Sequence, residues 1–283
     1  MITTDFLKNI GCFHKTTADF LTGINPPYHR HENIYEIYLY INGKIKIYVE
    51  QNCYNMLPGN LILIRPNELH RSVIIDDDTA YERIGINISA DTINALSSDN
   101  THLMNCFSSE TNKGNRIIHL SSYNLNKYIN LTDEFLRYLQ SDDYGCDLLA
   151  MTTLIKLLIF TNNLFDNSSH IEHKNIMPKL VINIMKYIDN HLTDKITLQD
   201  ISRELHYSVN YISTKFKYHT GLTLRDYILD KRIEAAKKHL LSGKNVSETC
   251  ALSGFNDYSN FIRSFTKKTG ISPGHYREFI SLK

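Results

Sequence analysis

Hydrophobic residues recur along this chain with two different periods. Residues 1–90 are dense in β-branched and aromatic residues, in short runs broken by Pro, Gly and Asn. Ile34–Ile41 and Lys44–Glu50 flank Asn42-Gly43, which predicts two strands joined as a tight hairpin. In the second arm Ile45, Ile47 and Val49 alternate with Lys44, Lys46 and Tyr48, the pattern of one buried and one wet face. Leu57-Pro58-Gly59-Asn60 reads as a turn, Leu61–Ile64 as a strand, and Arg65-Pro66-Asn67-Glu68 as its end. Tyr81–Ile88 is a further strand, with Ile84, Ile86 and Ile88 on one face. Short strands at this spacing predict an antiparallel barrel or sandwich.

The period then lengthens. Ser89–Ser97 reads as a short helix, and residues 99–117 are polar, Asn-rich and without a period. Tyr128, Leu131, Phe135, Leu136 and Leu139 recur at helical spacing within Asn124–Gln140. Leu148, Met151, Leu154, Ile155, Leu158, Ile159 and Leu164 do so within Cys146–Leu164. This second helix is apolar over more than half its circumference, so it must bury against the barrel, its neighbour or a second chain. So broad a face favours the second chain, a homodimer. Phe165–Lys174 is polar and aperiodic, the segment best suited to be a linker.

The last hundred or so residues carry one pattern twice. Met177–Asn190 is an amphipathic helix with Val181, Met185 and Ile188 inward. Thr197 caps Leu198–Leu205, and the break His206-Tyr207-Ser208 leads to Val209–Tyr218 and Gly221: helix, short turn, helix. Arg225–Leu241 is one long helix, with Tyr227, Ile228, Ile233, Ala236 and Leu240 inward. Ser247–Leu252 opens the second copy, followed by a Gly254-Phe255 turn, a helix capped by Asp257 and stopped by Gly270, and a last short helix from Pro273. Phe216 and Phe265 stand equally far before Gly221 and Gly270; Ile212 and Phe261 stand four residues before those Phe. Ser202 and Cys250 fall at the tight helix–helix contact, where a small residue is needed.

Composition sharpens this division. At 283 residues the chain is long enough for two domains with real cores. The net charge of +1 conceals 17 Lys+Arg against 10 Asp+Glu in residues 176–283, and 14 against 20 in the rest. A basic C-terminal part on an acidic N-terminal part suits a polyanion-binding module joined to something else. Five scattered cysteines without a C-x-x-C pair suggest reduced thiols in a cytoplasm. MITTDFLKNIG shows no signal-peptide pattern, and the most apolar stretch, around Leu154–Phe160, is too short to span a bilayer and contains Lys156, so no membrane partner is expected.

Gly23, His29, His31, Glu36 and Gly43 have the spacing of the first cupin motif, which they resemble at full length. Gly59 through Pro66 to His70 resembles the second, with one residue too many before Pro66, one too few after it, and no second Gly. In metal-binding cupins the three His and the Glu hold a divalent metal; His29, His31, Glu36 and His70 could do so here. The alternative, and the expectation, is a site with no cofactor whose cavity holds a small ligand, lined by Tyr28, Arg30, His31, Glu36, Tyr38 and His70.

KRIEAAKKHLLSG followed by VSETCALSGFNDYSNFIRSFTKKTGISPGHYR resembles the signature of the AraC/XylS family of bacterial transcription regulators, over about 100 residues. Thr249-Cys250 stands where an aliphatic residue and Ala are usual, and Leu222-Thr223-Leu224 replaces Ser/Thr-Pro-aromatic. The resemblance implies an α+β two-domain protein: an antiparallel cupin-like β-barrel with a helical dimerisation segment, then an all-α double helix-turn-helix. The expected boundaries are 1–120 for the sensor, 121–164 for the dimerising hairpin, 165–175 for the linker and 176–283 for the DNA-binding domain, with motifs at 197–218 and 247–266. It puts Asn210, Ser213 and Thr214 of the first outer helix toward base edges, and Tyr258, Ser259, Ile262 and Arg263 of the second. Lys215, Lys217, Lys267, Lys268 and Arg277 then face phosphate. The expected function is ligand-responsive activation of promoters through RNA polymerase, the effector being a sugar or small acid and the protein not an enzyme. The competing reading is a metal-dependent cupin enzyme fused to a DNA-binding tail.

Overall fold

The computed structural model describes residues 10–16, 28–75, 81–108, 115–166 and 175–281. The chain divides into two units, Met1–Ile176 and Met177–Lys283.

Unit 1 is built on eight strands among the described residues: β1 (Ile10–Thr16), β2 (Ile34–Asn42), β3 (Ile45–Val49), β4 (Asn52–Met56), β5 (Asn60–Ile64), β6 (His70–Ile74), β7 (Glu82–Ser89) and β8 (Ile117–His119). They form two antiparallel sheets, ordered β1-β7-β2-β5-β8 and β4-β3-β6. Alternation sorts the side chains. Tyr38, Tyr40, Ile62 and Ile64 of the larger sheet share one buried cluster with Ile45, Ile47 and Val49 of the smaller. The opposite face of the larger sheet presents Ile37, Leu39, Leu61, Leu63, Ile84, Ile86 and Ile88. That face is covered by Tyr128 and Phe135 of α2 (Ser122–Leu139) and by Ala150, Leu154, Leu157 and Leu158 of α3 (Cys146–Asp166). Each such Leu, Ile or Phe side chain contributes about 1.5–3 kcal/mol of burial before entropy is subtracted. The short helix expected at Ser89–Ser97 is α1 (Ala90–Leu96), with Ser89 as its N-cap, its side chain accepting from the Thr92 amide.

Four expectations change. Asn42-Gly43 does turn the chain, with Gly43 at φ 107°, but it makes no hairpin. β2 pairs with β5 and β7, and β3 with β4 and β6. The turn carries the chain from one sheet to the other, because Ile45, Ile47 and Val49 can join the cluster of Tyr38 and Tyr40 only from a separate sheet. The supposed wet face of β3 is not wet at Tyr48, which is buried beside Tyr28, ring centroids 6.1 Å apart. Strands β1, β4, β6 and β8 stand where polar residues interrupt the apolar alternation, and β8 lies at the end of the aperiodic 99–117 stretch. There Leu103, Cys106 and Phe107 are buried, around a 3-10 turn at Asn105–Phe107. Finally, the apolar stretch around Leu154–Phe160 is the middle of a 21-residue helix, long and apolar enough by length and composition to cross a membrane. Its buried side is part of the unit 1 core. Asn162 pins it there, accepting from the Cys106 amide at 2.8 Å and donating to the Leu103 carbonyl at 3.0 Å.

Of the segment expected as a linker, Phe165 and Asp166 end α3, and 167–174 lie outside the described residues. Asn175 is bound to the edge of β4: its Oδ1 accepts from the Cys53 amide at 2.9 Å, and the Ile176 amide donates to the Cys53 carbonyl at 2.8 Å.

Unit 2 holds α4 (Lys179–Asn190), α5 (Leu198–Leu205), α6 (Val209–Thr220), α7 (Leu224–Leu241), α8 (Val246–Leu252), α9 (Tyr258–Thr269) and α10 (Pro273–Ser281). Val181, Met185 and Ile188 are buried on α4, as the periodicity predicts. On α7 Tyr227, Ile233, Ala236 and Leu240 are buried, while Ile228 is half-buried. The second copy starts one residue earlier than Ser247: Asn245 is the N-cap and forms a capping box with Glu248.

Candidate ligand site and nucleic-acid interface

In unit 1 the chain gathers four of the predicted residues. His29 and His70 exchange backbone hydrogen bonds, N to O at 3.0 and 2.9 Å, which brings 29–31 beside β6. Glu36 stands on β2, facing the same way as Tyr38 and Tyr40 by alternation. One Glu36 carboxylate oxygen lies 3.1 Å from His31 Nε2 and the other 2.8 Å from His70 Nε2. One ring nitrogen from each of His29, His31 and His70 falls within 4.8 Å of the others. Burial pushes the Glu36 carboxyl up, but the His70 hydrogen bond and the neighbouring His70, His31 and His29 outweigh it, holding the carboxyl below its ordinary 4.5. The His70 Nδ1 is held at 2.9 Å from the Glu68 carbonyl oxygen. Glu68 is itself clamped by Arg116 through two bonds, at 2.7 and 3.0 Å. Gly23 of the first motif lies outside the described residues.

The other predicted liners differ in setting. Tyr38 faces the inter-sheet cluster, and burial raises its phenol well above 10. Tyr28 packs on Tyr48 and under the Arg71 guanidinium, whose Cζ is 5.1 Å from one ring centroid and 5.0 Å from the other. Among the described residues the buried Tyr28 hydroxyl has no hydrogen-bond partner. Arg30 is half-buried next to the His29 strand pairing.

One residue of this interior escaped the sequence reading. Arg83 alternates with Ile84, Ile86 and Ile88 and so faces the opposite side of β7, among the rings of Phe13, Tyr38 and Tyr81, 5.2 to 5.8 Å from their centroids. The period-two rule that identified the isoleucines also puts Arg83, Gly85 and Asn87 inward. Gly85 is small for a reason: a Cβ there would overlap the Phe13 ring.

Unit 2 builds the same motif twice from local signals. The Thr197 hydroxyl and Asp200 form a capping box at α5, and α6 is capped by Ser208, whose side chain accepts from the Tyr211 amide. Asp257 caps α9, accepting from the Asn260 amide at 2.5 Å. Gly221 and Gly270 end the two outer helices in the left-handed region, at φ 75° and 82°. His206 takes the left-handed conformation at the first turn, φ 57°. Ile212 and Phe216 are buried on α6, Phe261 and Phe265 on α9. Leu222-Thr223-Leu224 is no defect, since Thr223 caps α7 and Leu224 is buried.

The outer faces follow from this packing. Asn210, Thr214, Lys215 and Lys217 are exposed on α6, and Ser213 is half-buried. Tyr258, Ser259, Arg263, Lys267 and Lys268 are exposed on α9; Ile262 packs partly against the motif's own core; Arg277 is exposed on α10. Lys268 Nζ lies 2.6 Å from Asp230 on α7. An exposed aromatic row, not among the expected contacts, lies beside this face: Tyr207 and Tyr211 stack with centroids 5.3 Å apart, and Lys215 Nζ lies 5.8 Å from the Tyr211 ring. Their four-residue spacing was the available signal.

Comparison with known proteins agrees with this division. Residues 21–158 match the AraC-like ligand binding domain, and residues 201–278 match a helix-turn-helix domain. Over 92 residues the chain is 37% identical to the HTH-type transcriptional regulator YobQ of Bacillus subtilis, a match covering 32% of this chain and 38% of that one. Over 111 residues it is 35% identical to YtdP of the same organism, covering 38% of this chain and 14% of that one. The chain thus spans well under half the length of these relatives. Among solved structures, apo ToxT K231A from Vibrio cholerae aligns over 96% of this chain and 98% of that one, at 15% identity and a TM-score of 0.39. With a ligand-binding domain and a helix-turn-helix domain matched in this order over most of its length, the chain belongs to the AraC-type family of transcription regulators.

Proposed function

We propose that this protein is a ligand-responsive, sequence-specific DNA-binding transcription regulator. The duplicated helix-turn-helix carries the reading: two capped outer helices, each with two buried hydrophobic residues and a polar outward face. A single such helix covers a few base pairs, whereas two enter major-groove segments about 34 Å apart on one DNA face. Asn210, Ser213 and Thr214 meet base edges from α6, and Tyr258, Ser259, Ile262 and Arg263 from α9. Arg263 suits guanine, Asn210 adenine, and Ile262 a thymine methyl. Lys215, Lys217, Lys267 and Arg277 contact phosphate. Regulation rather than catalysis is favoured by the family and by relatives named as transcriptional regulators. Selecting duplexes from a random pool with the full-length protein at fixed salt tests this. Recovery of a paired, salt-sensitive motif supports it, and binding without sequence preference sinks it.

Residues 1–120 form the sensor in this reading, 121–164 a dimerising hairpin, and 165–175 the link to 176–283. Exposed Leu148, Leu149 and Ile159 on α3 suit a second copy of the chain. Sedimentation of Leu148→Glu/Ile159→Glu against the parent tests the dimer. The effector is a sugar or small acid bound near Tyr28, Arg30, His31, Glu36, Tyr38 and His70. It shifts the protein between two arrangements by binding them unequally, and the DNA-bound form activates promoters through RNA polymerase in the cytoplasm. A ligand raises thermal stability by mass action, so a melting screen with sugars and small acids tests the class.

A second reading of the sensor rests on the convergence of His29, His31 and His70 around Glu36. Three imidazoles and a carboxylate fit zinc, iron or manganese, and these four residues would hold the ion, which would offer an effector oxygen a Lewis-acid partner. Metal analysis of the protein and of a His29→Ala/His31→Ala variant decides it.

A further inference from the structure

Three consecutive residues of α7 hold three different parts of unit 2. The Asp230 carboxylate pairs with Lys268 on α9 at 2.6 Å. Lys231 Nζ lies 3.5 Å from the Asp189 carboxylate on α4. The Arg232 guanidinium donates from Nε to the Leu192 carbonyl at 3.1 Å and from Nη2 to the Asp194 carbonyl at 2.7 Å. Both carbonyls belong to the turn that follows α4. At 3.6 residues per turn neighbouring side chains point about 100° apart, so three in a row can reach three elements.

The Leu192 carbonyl has another neighbour. Gly254, at φ +79°, lies in the turn between α8 and α9. A Cβ added there would overlap the Leu192 carbonyl oxygen and stand 2.9 Å from Arg232 Nε. The turn of the second motif therefore rests on the backbone of the turn that leads into the first, and Arg232 binds that same backbone from α7. α6 packs on α4, and α9 packs on α7. The two outer helices are thus linked not only along the chain but across this junction.

We infer that Arg232 is a positioning residue that fixes the separation and rotational phase of α6 and α9, and so sets the half-site spacing the protein accepts. This rests on the two-helix DNA reading above. Once the first helix is bound, the second binds intramolecularly, with an effective concentration that depends on how narrowly the junction confines it. Loosening the junction leaves each helix's own contacts intact and lowers only the gain from joining them. The ion pairs of Asp230 and Lys231 are more dispensable, because the far end of each, Lys268 or Asp189, is open to solvent, which weakens the pair. Arg232 is different: its planar fork holds two backbone carbonyls at fixed directions.

The test uses the full-length protein and the paired duplex that the wild type selects from a random pool. Affinity is measured on that duplex, on one carrying a single half-site, and on a series with one or two base pairs inserted or deleted between half-sites. Arg232→Ala is expected to keep single-site affinity within about 2-fold, to lose about 10–100-fold on the paired site, and to flatten the spacing profile. Arg232→Lys keeps the charge and stem but lacks the fork, and is expected to fall between the two. It reads the same series should Arg232→Ala not fold. Equal losses on single and paired sites, or an unaltered spacing optimum in these variants, overturn the role of Arg232. A wild type that selects only single sites removes the two-helix reading itself, and this proposal with it.

Discussion

The Ser202 hydroxyl and the Cys250 thiol make the same bond in the two halves of unit 2. Ser202 Oγ donates to the Tyr207 carbonyl at 2.5 Å, and Cys250 Sγ to the Phe255 carbonyl at 3.6 Å, each five residues on. The backbones agree: the Tyr207 amide donates to Ser202 at 3.2 Å and the Phe255 amide to Cys250 at 3.1 Å. The position needs a small side chain with a donor to close the turn. Burial raises the Cys250 thiol, which keeps it protonated and able to donate. Cys250→Ser is therefore expected to change stability by less than about 1 kcal/mol, whereas Cys250→Leu overpacks the contact and costs about 1–3 kcal/mol. Thermal unfolding of the two variants checks this, and a well-tolerated Leu would mean that the contact is looser than it looks.

Next to Cys250, Thr249 is fully buried, and among the described residues its hydroxyl has no partner, nor has the Ser253 hydroxyl one turn on. A buried hydroxyl without a hydrogen bond carries a desolvation cost that a methyl group of similar size does not. Thr249→Val, which restores the aliphatic residue usual in the family, is expected to stabilise the protein by about 1 kcal/mol. A lower melting temperature for this variant would show that the hydroxyl has a role the packing does not reveal.

The α5 capping box gives a prediction with a sign. Thr197→Ala removes a side-chain acceptor from the helix start and is expected to cost about 1 kcal/mol. Its partner Asp200 is held below its ordinary 3.8 by bonds from the Thr197 side chain and amide. A lowered carboxyl contributes stability that is present above its unfolded pKa and is lost as pH falls through its folded value. Asp200→Asn should accordingly remove part of the acid-induced loss below about pH 4. An unchanged acid limb in urea melts taken between pH 2 and 5 would contradict this.

In unit 1 the Glu68–Arg116 pair is mostly buried and doubly bonded, and Glu68 also accepts from the Arg65 amide at 2.9 Å. Removing one partner strands the other's charge in a poorly solvated place. Arg116→Ala is expected to cost about 3–5 kcal/mol, far more than loss of the partly exposed Lys231 or Lys268 pairs. A loss below 1 kcal/mol in denaturant titration would show that water reaches the stranded carboxylate.

What could be read from the residues depended on the range of the signal. Ser208, Asp257, Gly221 and Gly270 act within one helix turn of their own positions, so the repeat was visible in its caps, spacing and buried Phe pairs. Glu36 and the three histidines were visible through motif spacing. The partners of a strand are not local, and Asn42-Gly43 looks identical whether it closes a hairpin or carries the chain between sheets; only the burial of Tyr38 and Ile47 in one cluster between the sheets decides. Arg83 was hidden because the alternation was followed on the isoleucine face alone. Arg232 was hidden more deeply, since its partners lie about forty residues away and are backbone atoms, which no side-chain pattern records.

The two neighbouring lysines at the end of α9 ought to behave differently. Lys267 is exposed and free to follow a phosphate, whereas Lys268 is 2.6 Å from the mostly buried Asp230. A lysine that neutralises a phosphate releases counterions, so its removal lowers the salt slope of binding by about one. Lys267→Ala is expected to do so and to weaken binding nearly uniformly across sequences. Lys268→Ala should leave the slope almost unchanged, since its charge is already engaged, and act instead by leaving Asp230 unpaired beside α9. Arg263→Ala completes the series: loss of a bidentate base contact costs about 1–3 kcal/mol on the best site and relaxes one base preference without moving the slope comparably. Titrations of the three variants at several salt concentrations, on the selected duplex and on one base-substituted copy, separate these behaviours. An equal slope change for both lysines would mean that the Asp230 pair opens on DNA.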